Sequence, residues 1–154
     1  MNPQYLELEI TESTIMQNEK DAGKMLRDLK SMGIKISVDD FGTGYSSLSY
    51  LKRFTLDALK IDRSFIKDLA YDADDRAITL AIIAMAHSLG LRVVAEGVKT
   101  EQHLSLLRDH GCDEVQGFLF SPPLQAEEFI RKVAEMQPGK AFFKARMIHQ
   151  ISLR

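Results

Sequence analysis

Gly33-Ile34-Lys35-Ile36-Ser37-Val38-Asp39-Asp40-Phe41-Gly42-Thr43-Gly44 holds one strand and the loop that leaves it. Ile34, Ile36 and Val38 alternate with Lys35, Ser37 and Asp39, the period of two that a strand imposes on its side chains. Gly33 stands where a preceding helix is capped, and the run Asp40–Gly44 (DFGTG) is a glycine-rich loop. Upstream, Ala22, Met25, Leu26, Leu29 and Met32 recur at helical spacing within residues 18–32, and Tyr5–Thr11 (YLELEIT) alternates as a strand. Downstream, a short helix is expected over Ser46–Lys52, then a strand at Ala58–Asp62 (ALKID). A long helix is expected from about Asp74 to Leu89, stopping at Gly90, and a strand at Leu91–Glu96 (LRVVAE). Thr100 suits the N-cap of a helix running to about His110. A fifth strand is expected over Glu114–Leu119, and a last helix over Ala126–Met136 after Pro122-Pro123.

Strand and helix thus alternate five times, the order of an α/β fold with parallel strands and helical crossovers. A closed eight-unit barrel takes ~250 residues. The 154 residues therefore make either an open sheet or part of a barrel. The chain enters its first strand pattern directly after Met1-Asn2-Pro3-Gln4, as one that starts in the middle of a fold would. Two unpaired sheet edges are then expected, and with them self-association.

Composition is that of a globular protein, 45% hydrophobic and 27% charged. A net charge of -2 gives no field for gathering nucleic acid or an anionic membrane, so a small anionic ligand needs locally placed cations. No run reaches the ~18 apolar residues of a membrane helix. The single cysteine, Cys112, forbids an internal disulfide and fits a reducing, cytoplasmic setting as a small packed residue. Lys140–Arg154 is basic and apolar without acidic residues; it reads as a terminal helix, or as a docking segment.

Polar groups recur near the C-terminal ends of the five strands: Glu9, Asp39 with Asp40, Lys60 with Asp62, Glu96, and Gln116. Parallel α/β folds build their active sites at those ends. Each residue alone is a solvated charge or half of a salt bridge. Converging, they require a compensating cation, because unpaired buried charge is costly. Glu9, Asp39, Asp40 and Glu96 suit a hard divalent ion such as Mg2+ or Mn2+, and a paired-metal site acts on phosphoryl groups. Lys60 suits the orientation of a water, and Gln116 the holding of a water or ligand. Asp40-Phe41-Gly42 also matches a kinase tripeptide, but no other kinase signature accompanies it. His87, His103, His110 and His149 read as structural or surface residues.

Five segments together resemble the EAL domain family, in its order and at its spacing. They are Glu9-Ile10-Thr11-Glu12-Ser13, Asp39–Ser47 (DDFGTGYSS), Leu59-Lys60-Ile61-Asp62, Val94-Ala95-Glu96-Gly97-Val98 and Gln116-Gly117-Phe118. The resemblance covers roughly residues 5–133 and implies a bacterial (β/α) barrel that hydrolyses cyclic di-GMP to linear pGpG with Mg2+ or Mn2+. It implies that this chain is the C-terminal part of such a domain over residues 1–137, a partial barrel lacking its N-terminal strands, with a tail over 138–154. Glu9, Asp39 and Glu96 would be metal ligands, Asp39 shared between two ions and Asp40 on the second. Lys60 would contact the catalytic water, and Gln116 would assist. Glu12 would hold the loop of Phe41, Gly42, Thr43, Gly44, Tyr45 and Ser46, which the family links to metal binding and dimerisation. An upstream GGDEF or sensor domain is the partner the resemblance implies, with no role for DNA.

Two departures stand against it. The Glu-Ala-Leu motif with its following arginine, and a later asparagine, have no counterpart here, and Lys99 stands where the family carries glutamate. They point to a fragment inactive in isolation, to a degenerate module that binds nucleotide or protein, or to a remnant without function.

Overall fold

The computed structural model describes residues 2–17, 19–43, 48–135 and 144–145. A single 3-10 turn, Pro3–Tyr5, precedes β1 (Glu7–Thr11), α1 (Glu12–Gln17) and α2 (Glu19–Ser31). Then come β2 (Lys35–Phe41), α3 (Leu48–Arg53), β3 (Ala58–Ile61), α4 (Arg63–Lys67) and α5 (Ala73–Ser88). The chain continues through β4 (Arg92–Glu96), α6 (Glu101–Asp109), β5 (Glu114–Gln116), α7 (Ala126–Glu135) and β6 (Lys144–Ala145). All strands are parallel in one sheet, ordered β1-β2-β3-β4-β5-β6. Every expected strand is present.

The two faces of the sheet differ because successive strand residues point opposite ways. On one face Val38, Leu59, Ile61, Val93, Ala95 and Val115 form a single core with Ile15 of α1, Ile66 of α4, Ile82 and Ile83 of α5, and Leu104 and Leu107 of α6. Leu59, Ile61 and Ile66 are wholly buried, each worth ~1.5–3 kcal/mol of hydrophobic stabilisation. The other face carries Glu7, Glu9, Ser37, Asp39, Lys60, Arg92, Glu96, Glu114 and Gln116.

That polar face is curled inward. Arg92 of β4 lies 3.4 Å from Glu7 of β1, two strands intervening. In a flat sheet their backbones would be ~14 Å apart at the usual strand spacing. Lys60 of β3 reaches Glu9 of β1 in the same way. The arrangement is an arc of a (β/α) barrel with helices outside.

Three local features depart from the sequence expectation. The helix expected over residues 18–32 is preceded by a separate one, α1, which starts directly at the end of β1. Asp62 is the N-cap of the short helix α4, its carboxylate accepting from the Ser64 N–H at 2.9 Å. Lys144–Ala145, where a terminal helix was expected, pair as a strand beside β5. The rest of the 138–154 tail lies outside the described residues, except for those two.

Other expectations hold. The Thr100 hydroxyl accepts from the His103 N–H at 3.1 Å, capping α6. Cys112 is buried, and burial pushes its thiol up to about 12, so it is a packing residue and not a nucleophile. No helix among the described residues is long and apolar enough to cross a membrane.

Candidate active site

The site is made by a break in the alternation of β2. Its register against β3 shifts between Val38 and Phe41. Asp40 occupies that bulge with a φ of 53°, the left-handed region that aspartate tolerates better than most residues. The extra residue returns Phe41 to the face of Val38, where it is buried in the core. Asp39 keeps the inner face, and Asp40 is left beside it. Two consecutive carboxylates therefore approach one site, which an unbroken strand forbids. Oxygens of Asp39, Asp40 and Glu96 lie within 4.8 Å of one another.

Lys60 stands among the carboxylates. Its Nζ is 2.6 Å from Glu96, 2.9 Å from Glu9 and 3.1 Å from Asp39. The lysine side chain is 4% exposed and its three partners about a fifth. Burial opposes the ammonium charge, but hydrogen bonds to Glu96 and Glu9, together with their negative charges, outweigh it and hold the lysine pKa above its ordinary value. Burial raises the Glu96 carboxyl, and Asp39 and Glu9 add to that rise against the lowering effect of Lys60. Asp40 is raised by burial, then by the charges of Asp39 and Asp62. Asp62, one of the polar groups expected at the strand ends, acts on Asp40.

One ammonium faces four carboxylates, so the cluster has an excess of negative charge. Asp39 Oδ1 is buried and accepts no hydrogen bond among the described residues, although Lys60 is within ion-pair distance. Gln116 Oε1 is likewise buried and without a donor, on the strand residue that pairs in register with Glu96. Clustered hard oxygens with lone pairs to spare fit a divalent cation. The residues present therefore fit the divalent-ion site expected from the carboxylates at the strand ends.

Not every expected residue enters the cluster. Glu12 is buried at the first position of α1. The Phe41 side chain points into the helix-packed core. Gly42 has a φ of +96°, and a Cβ there would lie 2.8 Å from the Phe65 ring, so only glycine fits this turn. Thr43 is exposed, and its hydroxyl donates to the Asp40 carbonyl at 2.8 Å. Gly44, Tyr45 and Ser46 lie outside the described residues. Lys99 is exposed and does not join the described ion pairs of the site. His87 pairs with Asp113, and His103 is buried in α6, so neither belongs to the cluster; His149 lies outside the described residues.

The EAL domain family matches residues 1–123. The cyclic di-GMP phosphodiesterase NbdA of Pseudomonas aeruginosa is 54% identical over 130 residues, 82% of this chain and 17% of that protein. The bifunctional diguanylate cyclase/cyclic di-GMP phosphodiesterase MucR of the same organism is 50% identical over 134 residues, 87% of this chain and 20% of that protein. The chain thus spans about a fifth of these curated relatives. A solved PaMucR phosphodiesterase in complex with c-di-GMP superposes with a TM-score of 0.80 at 50% identity, over 84% of this chain and 52% of that one. The BlrP1 manganese/cy-diGMP complex from Klebsiella pneumoniae superposes with a TM-score of 0.74 at 36% identity, over 79% of this chain and 31% of that one. A family match over residues 1–123, with relatives 50% identical or more over four-fifths of the chain, settles the membership: the chain belongs to the EAL domain family.

Proposed function

We propose that this site takes part in metal-dependent hydrolysis of cyclic di-GMP to linear pGpG. The observation that carries the reading is Lys60, buried among Glu9, Asp39 and Glu96 at the C-terminal ends of parallel strands. Glu9, Asp39, Asp40 and Glu96 would hold two divalent ions, Mg2+ or Mn2+, with Asp39 shared. When bound, such ions polarise a phosphoryl oxygen and lower the pKa of water. In the reaction a water oxygen bonds to phosphorus, the bond from phosphorus to one ribose 3′ oxygen breaks, and a proton goes to the departing oxygen. Lys60, whose ammonium lies 2.6–3.1 Å from Glu9, Asp39 and Glu96, acts as a donor: it orients the water and offsets negative charge on the phosphate. Gln116 holds the water or a ligand oxygen through its amide. Glu12 keeps the loop from Phe41 to Ser46 in its productive conformation.

Turnover belongs to a closed domain, and an open arc of strands supplies one part of the wall. The 154-residue chain alone is therefore expected to be inactive; pairing between copies and an upstream GGDEF or sensor unit, in the cytoplasm, belong to the same reading. The test uses the natural gene product that carries these residues. Asp39→Asn is expected to cut conversion to pGpG, followed by chromatography with Mn2+, by at least about a hundredfold. Turnover unaffected by the substitution, or no turnover by the parent protein, would refute the role.

A further inference from the structure

We propose that Arg92 is a positioning residue for the carboxylate cluster, acting through an ion layer one step below it on the same sheet face. This rests on the metal-site reading above but uses residues outside the five motifs that carry the resemblance. Arg92 forks between two strands: its Nη1 donates to Glu114 of β5, and its Nη2 lies 3.4 Å from Glu7 of β1. Both glutamates are nearly buried, with side chains 10% and 7% exposed for Glu7 and Glu114. Their charges, with hydrogen bonds, hold the guanidinium pKa up against the opposing effect of burial.

The three residues sit an even number of positions before site residues on their own strands. Glu7 is followed by Glu9, Arg92 by Glu96, and Glu114 by Gln116. Even spacing puts each pair on one face, and the lower layer lies ~7 Å beneath Glu9 and Gln116. Strands β1 and β4 are not neighbours in the sheet, so no ladder hydrogen bond fixes their distance. Arg92 spans that gap directly. A planar guanidinium holds two carboxylates at a set separation, as a lysine ammonium does not. The curl that brings Glu9 to Lys60 and Glu96 is therefore set in part by the Arg92 fork. Arg92 touches none of the cluster residues in a described ion pair or hydrogen bond, so its effect passes through the strands.

The test uses Arg92→Met and Arg92→Lys in the natural gene product, at a temperature where circular dichroism shows each folded. Calorimetric Mn2+ affinity is measured without nucleotide, and kcat and KM with cyclic di-GMP. Arg92→Met is expected to weaken Mn2+ binding about 10–100-fold, the range for residues that orient metal ligands. It should lower kcat more than it raises KM, with Arg92→Lys recovering part of both. Should Arg92→Met not fold, the triple variant Glu7→Leu/Arg92→Met/Glu114→Leu removes all three charges together, which proteins tolerate better than one orphaned partner. The same loss of Mn2+ affinity is expected of it. Unchanged Mn2+ affinity in a folded variant overturns the positioning role alone. Absence of Mn2+ binding by the unsubstituted protein overturns the metal-site reading, and the positioning role with it.

Discussion

Lys60→Met is expected to destabilise the metal-free protein by on the order of 3 kcal/mol, and a divalent ion should restore much of that loss. The ammonium is the cation facing Glu9, Asp39 and Glu96, at 2.9, 3.1 and 2.6 Å. Methionine fills similar space and leaves three carboxylates, about four-fifths buried, with no counter-charge. At roughly 2–4 °C per kcal/mol for a chain of this size, the midpoint should fall by about 10 °C in EDTA. Adding Mn2+ should recover most of it, because the ion takes over the neutralising role.

The pH dependence has a definite sign. The Lys60 pKa is raised in the folded state, so its contribution is fully present below the ordinary lysine value near 10.5. It is lost only as pH rises through the still higher folded value, far from neutrality. Glu96 is also raised, so the folded state binds its proton more readily than the unfolded chain does. Its ionisation therefore costs stability as pH rises through that window. With Lys60 removed the cost grows, and the deficit of Lys60→Met should shrink as pH is lowered from about 8 to about 5. Scanning calorimetry with and without EDTA reads both effects; a variant as stable as its parent at neutral pH would show that the ion cluster is not what holds these strands.

Gly117→Ala is the second large effect. A Cβ at Gly117 would lie 2.0 Å from the Val98 carbonyl oxygen, 2.4 Å from its nitrogen and 2.7 Å from its carbonyl carbon. All three are backbone atoms, so no rotamer relieves the clash. The same residues are sewn together by hydrogen bonds, Val98 N–H to Gln116 O and Leu119 N–H to Val98 O, each 3.0 Å. A methyl group must part the segments after β4 and β5, break that pairing and shift the wholly buried Val98. The expected cost is about 3 kcal/mol or more, at the upper end for one substitution. Gln116 moves with the strand, so activity should fall even where the protein remains folded. Chemical denaturation and the turnover assay check the two parts; a midpoint unchanged within error would mean that the segments do not meet as described.

Much of this was legible along the chain. Alternation over residues 34–39 set Ile34, Ile36 and Val38, all buried, against Lys35, Ser37 and Asp39, and Thr100 marked its helix by capping chemistry alone. These are local signals, complete within a few residues. The bulge was not legible: two aspartates in a row do not announce which of them turns left-handed, since the register against β3 decides it. Helices α1 and α4 were missed because they are too short for a period. Each sends a buried apolar side chain into the core, Ile15 from α1 and Ile66 from α4. In the tail, basic and apolar residues suited a helix as well as a strand, and pairing with β5 settles Lys144–Ala145. Arg92 was invisible as anything but a charge on a strand, for its partners stand 85 and 22 positions away. The convergence of Glu9, Asp39, Lys60 and Glu96 was foreseeable from strand ends; that Lys60 would sit at their centre was not.

The proposed function requires that Glu9, Asp39, Asp40 and Glu96 hold divalent ions, with Asp39 on both. Crystals grown with Mn2+ and measured near its absorption edge test it directly. An anomalous peak within bonding distance of the Asp39 and Glu96 oxygens is expected, weakened or absent in Asp39→Asn. Ordered carboxylates still gathered on Lys60, with no anomalous signal at saturating Mn2+, would contradict it.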